Sequence, residues 1–225
     1  MLERISTDTF CQKAYTVIKG AIIEGSLKPG TVVVTERLAE ELNISLTPIR
    51  EALIRLTSEG FIEYKSNKQR CIALITVESV RESYEVRRLL EPYAVARLAE
   101  CVATSDEIRK QLIELREPSD PGLLHVGEAG SYENVMAMDL RLGSILLEGV
   151  NGSFLGEVLH WVNDRSLRIR TFLETSTQGE REAFGDTILQ EHSQIIEALL
   201  DGNPEQARIA TGKHLANAEK RTMSI

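Results

Sequence analysis

The chain has 225 residues, 42% hydrophobic and 27% charged, enough for one large or two small cores and too apolar for a disordered protein. Its 26 basic residues face 34 acidic ones, a net charge of -8 with a pI near 5.2, which excludes coating nucleic acid by bulk charge but leaves a local basic face allowed. The balance is uneven: ten basic and nine acidic residues run to Thr76, sixteen and twenty-five beyond it, so a segment at +1 precedes one at -9.

In chain order, apolar residues recur at three and four from Thr9 to Glu24, an amphipathic helix ended by Gly25. Turn chemistry at Leu27-Lys28-Pro29-Gly30 leads to the β-branched run Thr31 to Val34, then to a helix from Glu36 to Leu42 with Thr35 placed to cap it and Asn43 to close it. Four residues later Thr47 reads as the N-cap of a helix that carries Pro48 at its first position, runs to about Ser58 and stops at Gly60. Two short helices joined by a tight turn are a helix-turn-helix, whose second helix can present its N-terminal residues to a major groove. Phe61-Ile62-Glu63-Tyr64 and Cys71-Ile72-Ala73-Leu74 read as two strands, and the loop Lys65 to Arg70 between them, with three cations, as a wing facing phosphate.

Beyond Leu74 the pattern is helical only. Thr76 caps a helix through Glu100 and Ser105 one to about Arg116; Glu117 to Gly122 opens a loop; helices follow at Tyr132 to Glu148, Ser153 to Thr175, Glu180 to Leu200 and Pro204 to Arg221. The fold expected is mainly α: a winged helix-turn-helix with a small β wing over residues 1-75, and an all-helical bundle of about six helices over 76-225. Cys11, Cys71 and Cys101 lie far apart without CxxC spacing, which points to a reducing cytoplasm rather than a disulfide framework. No run reaches the ~20 apolar residues of a membrane span, so no membrane partner is expected.

The order and spacing of Lys28-Pro29-Gly30, Glu36-Arg37-Leu38-Ala39, Thr47-Pro48-Ile49-Arg50-Glu51-Ala52-Leu53 and Glu59-Gly60-Phe61-Ile62 resemble the GntR family of bacterial transcriptional regulators. Val86-Arg87-Arg88-Leu89-Leu90-Glu91-Pro92, Asp139, Glu191-His192 and Lys213-His214-Leu215 resemble its FadR branch, whose helical effector domain is called FCD. Three positions depart from the family pattern: Leu46 replaces an arginine in the turn, Gln69 a glycine in the wing, and Gly143 a histidine four residues after Asp139.

The resemblance implies DNA contact by Arg37, Ser45, Thr47 and Arg50, with Lys68 and Arg70 of the wing on phosphate or in the minor groove. Arginine suits a bidentate bond to guanine O6 and N7, worth roughly 1–3 kcal/mol of discrimination. Against this stands a plain ion pair of Arg50 with Glu51 or Glu36. The resemblance also implies that Asp139, His192 and His214 hold one divalent ion, zinc, nickel or manganese, with the fourth family ligand absent at Gly143. The open alternative is that both histidines line an organic pocket from which the metal has been lost. Arg87 and Arg170 are candidates for an effector carboxylate, although Arg87 can equally form an i,i+4 surface bridge with Glu91. His160 is set aside as structural or exposed.

The function implied is a ligand-responsive, DNA-binding transcriptional regulator, a repressor acting as a homodimer on double-stranded operator DNA and answering to a small organic acid. The competing reading is a helical-bundle metalloenzyme with an accessory nucleic-acid-binding domain. It lacks an evident general base and does not account for residues 28 to 74.

Overall fold

The computed structural model describes residues 10–66, 68–116, 132–176 and 184–224. The loop expected from Glu117 and the helix start expected at Glu180 lie outside them. Among the described residues there are nine helices and one two-stranded sheet: α1 (Phe10–Ile23), α2 (Thr35–Leu42), α3 (Leu46–Ser58), β1 (Ile62–Tyr64), β2 (Arg70–Ile72), α4 (Val77–Val102), α5 (Asp106–Arg116), α6 (Tyr132–Gly149), α7 (Phe154–Ser176), α8 (Gly185–Leu200) and α9 (Pro204–Met223). None is long and apolar enough to cross a membrane. The chain divides into two compact units, Met1–Thr76 with Asp164–Leu173, and Val77–Asn163 with Glu174–Ile225.

In the first unit, α1 lays Ala14, Ile18 and Ile22 onto Ile49, Leu53 and Leu56 of α3, and Phe61, Ile62 and Ile72 close the same core from the wing. Ile49, Leu53 and Leu56 recur at four and three, so one stripe of α3 is spent on the core and its opposite face is left to solvent. Tyr15 ties the two helices at their edge: its hydroxyl donates to Glu59 Oε2 at 2.7 Å, and the Arg55 guanidinium stacks 3.7 Å from its ring centroid. The strands pair antiparallel as Ile62↔Ile72, Glu63↔Cys71 and Tyr64↔Arg70, and Val32 adds an isolated bridge to Cys71. Only that bridge comes of the extended run Thr31 to Val34.

Two helix starts differ from expectation. Val34 and Ser45 hold the N-cap positions of α2 and α3, neither with a side-chain cap bond, so Thr35 and Thr47 lie inside their helices. Leu46 packs against the unit's core, which draws the chain into helix two residues early. Pro48 moves to the third helical position, still in the first turn, where no intrahelical bond needs its N–H. Asn43 closes α2 in the left-handed region at φ 51°, a conformation asparagine tolerates. In the wing the left-handed residue is Lys68, at φ 62°, not Gln69.

In the second unit α4 packs along α9, α8 lies against both, α6 packs against α4 and α8, and α5 covers α6 and α8. Ala94, Leu98 and Ala99 of α4, Leu112 of α5, Ile196 and Leu199 of α8 and Ala207 of α9 make its dry centre. Ser105 and Ser153 accept from the amides of Ile108 and Gly156 at the starts of α5 and α7, and Asn203 from Gln206 at the start of α9.

Lys68→Gly relieves a left-handed backbone that costs a side-chain-bearing residue about 1 kcal/mol. We expect a higher thermal midpoint for this variant than for Lys68→Ala, measured by circular dichroism.

Candidate functional site

Ser45, Thr47 and Arg50 are exposed at the N-terminal end of α3. Among the described residues Arg50 forms no ion pair; neither Glu51 nor Glu36 engages it. Arg37 is the residue that pairs, its Nε 2.8 Å from Glu41 Oε1 in an exposed i,i+4 bridge, a contact too weak to hold the guanidinium against a competing anion. In the wing Lys68 is exposed, while Arg70 donates to the Tyr64 hydroxyl at 3.1 Å, its guanidinium 5.5 Å from that ring.

Asp139 comes from α6, His192 from α8 and His214 from α9, and the structure brings them together: one ligand atom of each lies within 4.8 Å of the other two. Asp139 Oδ1 is 3.4 Å from His192 Nε2, and the two imidazoles, both buried, lie 4.7 Å apart at 49°. His214 Nδ1 is 2.9 Å from Glu191 Oε2. A carboxylate only accepts, so that nitrogen carries the proton and Nε2 keeps its lone pair. Burial pushes the His214 imidazole down to about 4; the hydrogen bond to Glu191 opposes this, and His192 and Arg87 add to it. His214 is therefore neutral near pH 7, the state in which imidazole binds a metal.

Glu191 is itself fully engaged. Asn217 Nδ2 donates to Oε1 at 2.7 Å, and Arg221 donates to both oxygens at 3.0 and 2.8 Å. Burial alone would raise this carboxyl, but the hydrogen bonds from His214, Arg221 and Asn217 outweigh it and hold the group well below the usual carboxylate range. The donor set fits a divalent transition ion. Ligand atoms about 2.1 Å from one tetrahedral ion stand roughly 3.4 Å from each other, a spacing the Asp139–His192 pair already has, and a carboxylate behind a ligating histidine is the usual outer partner of such sites.

The i,i+4 bridge between Arg87 and Glu91 forms, at 2.6 Å, but buried rather than on the surface, with the Arg87 guanidinium 5.3 Å from the Tyr84 ring. Its charge reaches His214. Arg170 lies on the stretch of α7 that groups with the first unit, whereas the cluster belongs to the second. His160 is exposed. The sequence reading gave no role to Glu191, Asn217 or Arg221. Their signal was periodic: Glu191 sits in the apolar stripe of α8, four residues before Ile195, and His214, Asn217 and Arg221 follow one another on α9 at three and four.

Residues 82–217 match the FCD domain, and residues 11–69 match the model described as bacterial regulatory proteins, gntR family. The chain belongs to the GntR family. It is a transcriptional regulator of the FCD-bearing kind. It is 39% identical to the Nta operon transcriptional regulator of Aminobacter aminovorans over 76% of this chain and 88% of that one. Its fold is that of Escherichia coli McbR/YncC, with a TM-score of 0.75, 23% identity and coverage of 97% of this chain and 99% of the other. A Zn2+-bound FCD domain, that of TM0439, matches 68% of this chain and 96% of its own at a TM-score of 0.50 and 20% identity. Such relatives leave the reading as a metalloenzyme without support.

For this GntR regulator, Glu191→Gln removes the charge that balances Arg221 while keeping the shape. We expect a loss of about 1–3 kcal/mol in urea denaturation of the metal-free protein, and a smaller further loss when Arg221→Gln is added, because the pair acts as a unit.

Proposed function

We propose that this regulator reads a two-fold symmetric operator as a homodimer, a repressor working in the cytoplasm, and that a small organic acid bound at a divalent ion in the FCD domain changes its hold on DNA. The observation that carries the DNA reading is the state of Arg50: exposed near the N-terminal end of α3, on the flank of the face spent on the core, with no acid among the described residues holding it. In this reading Arg50 reads a base edge, Arg37 leaves Glu41 for DNA, Ser45, Thr47 and the backbone around them meet phosphate, and Lys68 and Arg70 extend the contact from the wing. The near-neutral charge of this unit concentrates attraction in those few cations rather than over its whole surface.

The metal reading is supported by the neutral His214, its carboxylate partner Glu191 and the short Asp139–His192 approach. In it, Asp139, His192 and His214 hold zinc, nickel or manganese, and the ion supplies a positive centre that an effector carboxylate can approach. Arg87 adds positive charge beside His214; Arg170 is the weaker candidate for the same task. Self-association is supported by Val86, Leu89 and Tyr93, spaced at three and four on α4 and exposed. The effector acts only by the free energy with which it prefers one arrangement of the dimer, typically ~1–3 kcal/mol.

In fluorescence anisotropy with a selected operator, Arg50→Ala should equalise affinity for operator and scrambled DNA, while Lys68→Ala should weaken both alike and flatten the salt dependence by about one phosphate per head. Equal loss on both DNAs for Arg50→Ala would remove it from base reading. Elemental analysis should find about one divalent ion per chain in protein purified without chelators, lost in His192→Ala and His214→Ala. Leu89→Asp should yield a monomer by light scattering at micromolar concentration, where the parent chain is dimeric.

A further inference from the structure

Helix α4 lies wholly in the second unit, and it offers solvent a stripe whose members recur at three and four: Glu82, Val86, Leu89, Tyr93 and Arg97. All five are exposed, and Leu89 in the middle is exposed to 72%. The stripe has an order: an acid at its N-terminal end, three apolar side chains in the centre and a base at its C-terminal end. The cations at its edges are already engaged, Arg81 with Glu78 and Arg88 with Glu219 of α9. Among the described residues neither Glu82 nor Arg97 forms an ion pair, although Glu100 stands within one turn of Arg97.

We propose that this stripe pairs with the same stripe of a second copy in antiparallel orientation, in the register that sets Val86 on the partner's Tyr93 and Glu82 beside the partner's Arg97. This rests on the self-association reading above and adds the orientation, the register and the residues that select them. A two-fold interface is self-complementary, so each contact occurs twice. Val86 lies four residues from Glu82 and Tyr93 four from Arg97, so the register that joins the apolar pair joins the charged pair as well, and Leu89 then meets the partner's Leu90 at the axis. A parallel pair sets Glu82 on the partner's Glu82 and Arg97 on the partner's Arg97, two contacts between like charges. Glu100 falls opposite the partner's Ser79, where no like charge opposes it. The apolar centre supplies the attraction, and the charges at its two ends decide which way round the helices lie.

The test measures the dimer dissociation constant of the full-length chain by dilution of fluorescently labelled subunits. We expect Glu82→Arg and Arg97→Glu each to weaken the dimer about tenfold or more, because each brings like charges together at two symmetric places. The double variant Glu82→Arg with Arg97→Glu should return to within about threefold of the parent chain. Mixed together, the two single variants should prefer the heterodimer to either homodimer, since one then carries arginine at both positions and the other glutamate. Glu82→Gln, which removes the attraction without adding repulsion, should weaken the dimer about twofold to fivefold, an effect that shrinks in about 1 M salt. If the parent chain is monomeric at every concentration, the self-association reading falls, and this proposal with it. If it is dimeric but the single reversals associate as tightly as it does, the stripes are not paired in this way and the proposal alone is overturned. It is equally overturned if the double variant is as weak as the single ones, or if Glu82→Gln tightens the dimer, as relief of a parallel Glu82 contact would.

Discussion

The second unit is organised around one buried carboxylate. Glu191 lies in the apolar stripe of α8 and cannot stay charged there without compensation, since burying an unpaired carboxylate costs several kcal/mol. The compensation comes from one neighbouring helix: His214, Asn217 and Arg221 of α9 all bond it. Two helices that apolar packing alone would allow to slide are thus fixed in register over nearly two turns. The same bond decides which nitrogen of His214 faces the cluster. Packing, register and the chemistry of the candidate metal centre all depend on a single side chain.

Much of the fold was legible because its causes are local. The nine helices follow from apolar spacing and from punctuation at Gly25, Asn43, Gly60, Gly149 and Gly202-Asn203-Pro204, and the wing from two short runs flanking a polar loop. What escaped was set by tertiary contact. Thr35 and Thr47 have the chemistry of caps, but the pull of Leu46 into the core moves the start of α3 by two residues. The left-handed residue of the wing is fixed by the turn that joins the strands, and nothing in Lys68 announces it.

At the metal cluster the residue types could be carried over from the family pattern, yet spacing along the chain says nothing of coordination when Asp139, His192 and His214 stand on three helices. Only the fold brings them within reach. Glu191 stands beside His192 in the sequence, but adjacent residues on a helix point about 100° apart, and adjacency carries no hint that one serves a histidine on another helix. Arg87, a candidate for an effector carboxylate with an i,i+4 bridge to Glu91 as its alternative, forms that bridge, and its burial is set by tertiary packing that the spacing does not reveal.

The helix starts differ in how they are closed. In the bundle, Ser105, Ser153 and Asn203 close the first turns of α5, α7 and α9 with their own side chains, whereas α8 begins on Phe184 without such a cap, and α2 and α3 of the helix-turn-helix likewise begin on Val34 and Ser45 with no side-chain cap. A missing cap costs a helix about 1 kcal/mol, and the exposed amides it leaves carry partial positive charge. A phosphate seated at the start of α3 would supply those acceptors. In the proposed reading the nucleic acid would become the last piece of the helix that reads it, and the first turn of α3 would stiffen when DNA arrives. Part of the free energy of recognition would then come from local ordering, available only where the backbone of the duplex runs at the right place beside the groove.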